Sequence, residues 1–211
     1  MIRILVADDH AIVREGLKQI VSEEGGMTVA GEASDTTELF TLLENGSWDI
    51  IVLDINMPGK SGLDALKEIK YKFPALPVLI LSMYSEEQYG IRAIRAGAAG
   101  FLKKVSAPEE LVSAIRKIVS GGKYISEALA DKLATHLGRS SKVLSHESLS
   151  DRELHILCQI ASGMSAEQIA DDLSISIHTV YSYRNRILEK MNMKSNVELT
   201  QYAIQNKLIQ I

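Results

Sequence analysis

Five short apolar runs alternate with five amphipathic stretches over residues 1–122, and this alternation limits the possible folds more than any other feature of the chain. The runs lie near 2–7, 27–32, 49–54, 77–82 and 99–103. The amphipathic stretches lie near 11–23, 35–45, 61–73, 86–96 and 108–120. A crossover between parallel strands needs a dozen or more residues, and a helix supplies them. Strands this apolar, each followed by a helix, predict a doubly wound parallel α/β sheet of five strands with helices on both faces. Gly25-Gly26, Gly46 and Gly97 stand at the predicted helix ends. Ser85 with Gln88, and Ser106 with Glu109, have the spacing of capping boxes at helix starts.

In such sheets ligands bind outside the carboxyl ends of the strands. The first run ends on Asp8-Asp9, the third on Asp54 and the fourth on Ser82. The fifth leads through Phe101 to Lys104. Three carboxylates, a hydroxyl and an ammonium at one edge suit a hard divalent cation and a phosphoryl group. Mg²⁺ takes oxygen ligands and keeps some waters. Asp9 and Asp54 are the expected direct ligands, with Asp8 acting directly or through water and the backbone carbonyl of Asn56 adding a further oxygen. With its charge neutralised, Asp54 can act as a nucleophile toward phosphorus. Lys104 would then stabilise the phosphoryl oxygens, and Ser82 would donate a hydrogen bond to one of them. Solvated acids at loop ends are the plainer reading, and a lone Asp after a strand deserves it; five such groups at one edge do not. His10, in the loop entering the first helix, is expected to be exposed or to cap that helix.

Gly121-Gly122 closes the alternating region. Residues 124–137 place Ile125, Leu129, Leu133 and Leu137 at helical spacing, and Gly138-Arg139-Ser140-Ser141-Lys142 reads as linker. The expected division is therefore 1–122, a linker region 123–148, and 149–211. The last part is helical throughout. Ser150 with Glu153, Ser165 with Gln168, and Ser195 with Glu198 are further capping boxes. Helices at 165–172 and 177–192, separated by Leu173-Ser174-Ile175-Ser176, fit a helix-turn-helix, whose second helix enters the DNA major groove. That second helix has an apolar stripe of Ile177, Val180, Ile187, Leu188 and Met191. A terminal helix at 196–206 presents Val197, Leu199, Ala203 and Ile204, part of which would pack on its own domain and part of which could pair subunits.

The chain is acidic overall, with a net charge of −4, yet residues 176–195 hold four bases and one acid. A basic helix on an acidic domain is a directed patch. A merely solvated helix face is the alternative that periodicity alone does not reject. The one cysteine, Cys158, lies in an apolar helical pattern, so a disulfide framework is excluded and a buried thiol in a reducing cytoplasm is expected. No apolar run approaches the roughly 20 residues of a membrane helix, and the N-terminus has the pattern of a strand rather than of a signal core.

Residues 1–122 resemble the receiver domain of bacterial two-component response regulators, which has a flavodoxin-like fold. The resemblance rests on Asp8-Asp9, on Asp54 followed by Met57-Pro58-Gly59, on Ser82, and on Phe101 ahead of Lys104. It implies Mg²⁺, phosphoryl transfer to Asp54 from a histidine kinase, and movement of Ser82 and Phe101 on phosphorylation. The C-terminal part is similar to the LuxR-type output domain through Leu149-Ser150-Asp151-Arg152-Glu153, Gly163-Met164-Ser165, Gln168-Ile169-Ala170, Leu173, Ser176, Thr179-Val180, Ile187-Leu188 and Lys190. Together the two halves resemble the NarL/FixJ class. By this resemblance Tyr181, Ser182 and Asn185 face bases. Thr179, Arg184, Arg186, Lys190 and Lys194 complete the expected DNA-contacting set, with Arg184 and Lys190 on phosphates. It also implies double-stranded promoter DNA, an activated homodimer and a possible contact with RNA polymerase, and no enzyme activity beyond the protein's own Mg²⁺-dependent phosphoryl transfer and dephosphorylation.

The chain departs from the family pattern at several positions. Phe101 stands where Tyr is common, Asp151 where Pro is common, and Asn192 where Gly often ends the recognition helix. Tyr183 stands where His is frequent, and Tyr181 where Lys is. Val105 follows the lysine at a bond that the family commonly makes cis. Two other function classes are open at this level: a phosphohydrolase using an aspartyl phosphate, and an adaptor binding protein or RNA through the C-terminal helices. The signal, the kinase, the operator and the sense of regulation are not legible in the sequence.

Overall fold

The computed structural model describes residues 1–57, 61–84, 86–138 and 145–209. It contains two compact units, Met1–Thr135 and His136–Ile211, whose boundary falls inside the 123–148 stretch expected as linker.

The first unit is built on strands β1 (Ile2–Ala7), β2 (Met27–Ala33), β3 (Ile50–Asp54), β4 (Val78–Ser82) and β5 (Gly100–Lys103). They form one parallel sheet in the order β2-β1-β3-β4-β5. The intervening helices are α1 (Ala11–Ser22), α2 (Thr36–Asn45), α3 (Gly62–Lys72), α4 (Glu86–Arg95) and α5 (Ala107–Val119). β3 and β4 are buried along their whole length, as strands covered on both faces must be. One face carries Ile4, Val6, Ile50, Val52, Leu79 and Leu81, packed on Leu17 and Val21 of α1 and on Leu111, Ile115 and Ile118 of α5. The alternate residues Leu5, Ile51, Leu53, Ile80 and Phe101 are buried on the opposite face. The chain direction of crossover reverses at β1, between β2 and β3, and the crevice beside β1 and β3 is where a sheet of this order binds ligands.

Gly62 fixes the start of α3 against that crevice. Its N–H donates to the Ile55 carbonyl at 2.8 Å, and any Cβ at this position would strike the carbonyl oxygen of Asp54. Ser61 caps the helix by accepting from the Asp64 N–H at 3.2 Å.

Two local expectations and one family pattern do not hold. Ser106 makes no capping hydrogen bond: Lys104–Ser106 form a 3-10 turn that runs into α5, which leaves Ser106 in helical geometry with its side chain off the helix end. No peptide bond among the described residues is cis, that between Lys104 and Val105 included. The helix expected from 124 begins later, as α6 (Glu127–Gly138), because the backbone of Tyr124 pairs with the edge strand β5. Phe101 N–H donates to Tyr124 O, and Tyr124 N–H to Ala99 O, both at 3.0 Å. Ser126 then accepts from the Leu129 N–H, and Leu129 is buried against Gly90 of α4. The Ser85–Gln88 capping box and Met57-Pro58-Gly59 fall partly outside the described residues.

The second unit contains a 3-10 turn (Ser145–Ser148) and the helices α7 (Asp151–Ala161), α8 (Ala166–Asp172), α9 (Ile177–Met191) and α10 (Asn196–Gln205). The capping boxes at Ser150 and Ser165 are both complete, and Ser195 accepts from the Glu198 N–H. Ile169, Ala170, Val180, Ile187, Met191, Leu199 and Ala203 form the interior with α7. Ile177, expected on the apolar stripe, is substantially exposed because it occupies the first helical position, before the stripe turns inward. Asn192 ends α9 in the left-handed conformation (φ 53°), the role glycine often fills. Cys158 is buried and unbridged. On α10, Leu199 and Ala203 face inward while Val197 and Ile204 face solvent.

Candidate phosphoryl-acceptor site and nucleic-acid interface

The carboxyl ends of β1, β3, β4 and β5 bring together Asp8, Asp54, Ser82 and Lys104, as the sequence predicts. Lys104 is the centre of the arrangement. Its Nζ lies 2.6 Å from Asp8 Oδ2 and 2.7 Å from Asp54 Oδ2. Asp8 and Asp54 are 1% and 2% exposed, and Lys104 is 8% exposed at its side chain. Burial pushes the Asp54 carboxyl up to about 6; Lys104 pulls against this and Asp8 adds to it. Burial disfavours the Lys104 ammonium, but Asp54 and Asp8 outweigh it, and its pKa is raised. Asp8 also accepts from the His10 backbone N–H at 2.9 Å, and Arg14 donates to the Asp8 carbonyl at 2.7 Å, so the loop after β1 is tied to its own acid.

Asp9 is exposed at the mouth of this pocket. Ligand atoms from Asp8, Asp9, His10 and Asp54 all lie within 4.8 Å of one another. His10 is exposed at the N-cap position of α1 and makes no capping bond; its Nδ1 lies 2.6 Å from Asp9 Oδ1 instead. Three carboxylates against one ammonium leave two negative charges, which one divalent cation balances. The Asn56 Oδ1 atom is buried and accepts no hydrogen bond among the described residues. Three carboxylates that keep a net double negative charge fit a hard, oxygen-seeking cation of the Mg²⁺ type.

Ser82 is fully buried, and its Oγ accepts from the Tyr84 N–H at 3.0 Å. Among the described residues no acceptor takes its hydroxyl proton. The Phe101 ring is 1% exposed and so lies in its inward position.

On α9 the exposed stripe runs through His178, Tyr181, Ser182, Asn185 and Glu189. His178 was not among the expected contacts, although its place one turn before Tyr181 and Ser182 is the signal for it. Thr179 spends its hydroxyl locally, 2.8 Å from Ser176 Oγ at the start of the helix. Arg186 lies over the Tyr183 ring, 5.9 Å from its centroid. Lys194 is exposed just after the helix. Arg184, half-buried, bonds Asn196 and Asn185.

Lys190, expected on a DNA phosphate, pairs with a carboxylate of its own domain in the structure. Its Nζ lies 2.7 Å from Glu153 Oε2, which is 4% exposed and also accepts from the Ser150 N–H at the start of α7. The pair holds α9 to α7. Burial raises the Glu153 carboxyl, but hydrogen bonds from Lys190 and Ser150 outweigh this and its pKa is lowered. A lowered carboxylate contributes stability above its unfolded value, near 4.5, and loses it as pH falls. Lys190→Ala should therefore destabilise this unit by on the order of 1–2 kcal/mol at pH 7, since Glu153 stays buried without its cation. The loss should shrink below pH 4.5 and be repaired by Glu153→Gln, which keeps the capping box; thermal unfolding of the three variants measures it.

Among the described residues, no helix is long and apolar enough to cross a membrane. Comparison with known proteins matches both units. The family model of the response regulator receiver domain matches residues 4–116, and that of the bacterial regulatory proteins of the luxR family matches residues 147–203. The chain is 37% identical over 209 residues to the response regulator UvrY of Escherichia coli K12, covering 99% of this chain and 96% of that one. It is 36% identical over 214 residues to the oxygen regulatory protein NreC of Staphylococcus carnosus, covering 98% and 99%. A solved structure of the RcsB response regulator of Salmonella typhimurium, described in terms of conformational dynamism for DNA interaction, matches with a TM-score of 0.63 at 26% identity, covering 97% of this chain and all of that one. A receiver fold with its acidic crevice, a helix-turn-helix and relatives spanning nearly the whole chain give one conclusion: the protein belongs to the two-component response regulators of the NarL/FixJ class, DNA-binding transcription regulators with a receiver domain and a LuxR-type output domain.

Proposed function

We propose that Asp54 accepts a phosphoryl group from a histidine kinase, and that this modification controls homodimerisation and binding of the LuxR-type domain to double-stranded promoter DNA. The observation that carries the reading is Lys104, held between the Asp8 and Asp54 carboxylates beside the β1/β3 crevice. The lysine screens Asp54 and stands where it can bind an oxygen of an incoming phosphoryl group. Asp9, Asp8, Asp54 and the Asn56 carbonyl would hold Mg²⁺, which would supply charge neutralisation for the attack and for the aspartyl phosphate. Ser82 would donate its hydroxyl proton to a phosphoryl oxygen and thereby pass the change toward Phe101 and β5. The protein turns over no external substrate in this reading, and it acts in the cytoplasm, where kinase, DNA and RNA polymerase are available to it.

The interaction of RcsB with DNA supports the same role for α9, with Tyr181, Ser182 and Asn185 as base-facing residues. The exposed Val197 and Ile204 offer apolar surface for a second copy. The test uses the full chain with acetyl phosphate and Mg²⁺. Phosphorylated protein should select a pseudo-palindromic or repeated duplex from a random pool and bind it as a dimer, at least tenfold more tightly than unmodified protein. Equal affinity with and without phosphate would refute control by phosphorylation, and turnover of small phosphate esters would favour the phosphohydrolase.

A further inference from the structure

Arg184 stands on the flank of α9, and its guanidinium turns back along the protein surface. Nε donates to Asn196 Oδ1 at 2.6 Å, and Nη1 donates to Asn185 Oδ1 at 3.2 Å. A guanidinium carries donors only, so both carboxamides must present their oxygens to it. Chemistry thereby sets which way each amide points. Asn196 is the first residue of α10, immediately after the N-cap Ser195, and it anchors the guanidinium to the start of that helix. Asn185 is exposed on the same stripe as Tyr181 and Ser182.

An unrestrained asparagine on a helix surface rotates about two torsions and presents either edge. Once Arg184 occupies one lone pair of Asn185 Oδ1, the second lone pair and both Nδ2 hydrogens remain for a ligand. That acceptor and donor side by side are the edge that reads adenine, accepting from N6 and donating to N7 in the major groove. A charged donor also makes the restraining bond stronger than a neutral one.

We infer that Arg184 is a positioning residue for base specificity: braced on Asn196, it fixes the carboxamide of Asn185 for adenine. Its role is not to neutralise a DNA phosphate. The inference rests on the reading of α9 as the recognition helix. One base preference then depends on three residues, only one of which touches the base. The α9–α10 junction becomes part of the reading apparatus.

The experiment uses the full-length protein phosphorylated with acetyl phosphate and the duplex it selects from a random pool. Affinities are measured for that duplex and for versions with each adenine replaced, at several salt concentrations. Asn185→Ala should lose the preference for adenine at one position. Arg184→Met and Asn196→Ala should each reduce that same preference by about three- to tenfold, through the lost preorganisation, and leave the salt dependence unchanged. Adding Arg184→Met to Asn185→Ala should cost no further preference. Asn196→Ala, at an exposed first-turn position, keeps the test decisive if Arg184→Met fails to fold. If Arg184→Met instead weakens all duplexes equally and flattens the salt slope by about one, the arginine contacts a phosphate and the inference is overturned, with the recognition helix intact. If Asn185→Ala alters no base preference, the reading of α9 falls and the inference with it.

Discussion

An Asp54→Asn protein should take up no phosphate from acetyl phosphate and Mg²⁺, whereas the parent should gain one phosphoryl group that is stable to acid and labile to base and hydroxylamine. Asp54 lies at the end of β3, 2% exposed, with its Oδ2 on Lys104 and its neighbour Asp8 on the same ammonium. Among the described residues no other carboxylate combines that position with that screening: Asp9 is exposed, and Asp8 is bound at Oδ1 to the His10 N–H and at Oδ2 to Lys104. Full labelling of the variant would move the acceptor elsewhere. A second readout comes from the carboxyl itself, whose pKa is raised from 3.8 to about 6. Between those values the folded protein keeps a proton that the unfolded chain has released, so stability falls as pH rises through the window and stays reduced above it. That rise amounts to roughly 3 kcal/mol at most, part of which Lys104 offsets. Asparagine carries no such penalty. Calorimetry without divalent ions should therefore find Asp54→Asn several degrees more stable than the parent at pH 7.5 and about equal to it at pH 4. A variant no more stable at pH 7.5 would show that the carboxylate is not strained in the folded state.

The receiver site was legible in the sequence because a parallel sheet delivers strand ends to one edge. Once five apolar runs are recognised, Asp8, Asp9, Asp54, Ser82 and Lys104 converge whatever the loops do. The local punctuation was less legible. Ser106 has capping-box spacing with Glu109, yet the 3-10 turn before it removes the geometry the box needs. Tyr124 follows a double glycine and heads an apolar helical pattern, but the open edge of β5 takes its backbone first. In the second unit the capping boxes and the left-handed Asn192 were readable because they act over three or four residues. The fate of the basic residues on α9 was not, because it depends on partners distant in sequence. Lys190 meets Glu153 across 37 positions, and Arg184 meets Asn196 across 12. A charge count over 176–195 sees four cations, whereas the fold gives Lys190 to a buried carboxylate and Arg184 to two amides.

Replacing Lys104 by methionine should do the opposite of replacing Asp54. The ammonium lies between two buried carboxylates, at 2.6 and 2.7 Å, and its removal leaves them facing each other. Breaking a buried pair by deleting one partner costs about 3–5 kcal/mol, and Lys104→Met should lose stability of that order at pH 7.5 without divalent ions. The penalty should fall toward pH 5, because the Asp54 carboxyl, already raised and now without its cation, takes up a proton. It should fall also when Mg²⁺ is added. In the parent the lysine competes for the same oxygens, so Lys104→Met should bind Mg²⁺ more tightly while still giving a weaker DNA response after phosphorylation, for want of the cation that holds the phosphoryl oxygen. Calorimetry across pH, with and without Mg²⁺, reads the first two effects, and titration of Mg²⁺ reads the third. The sign of the Mg²⁺ effect is the discriminating result. A lysine that merely packed would leave metal affinity unchanged, and one that organised the site for the metal would lower it on removal. Only a lysine whose charge competes with the cation for the two carboxylates predicts tighter binding in a less stable protein.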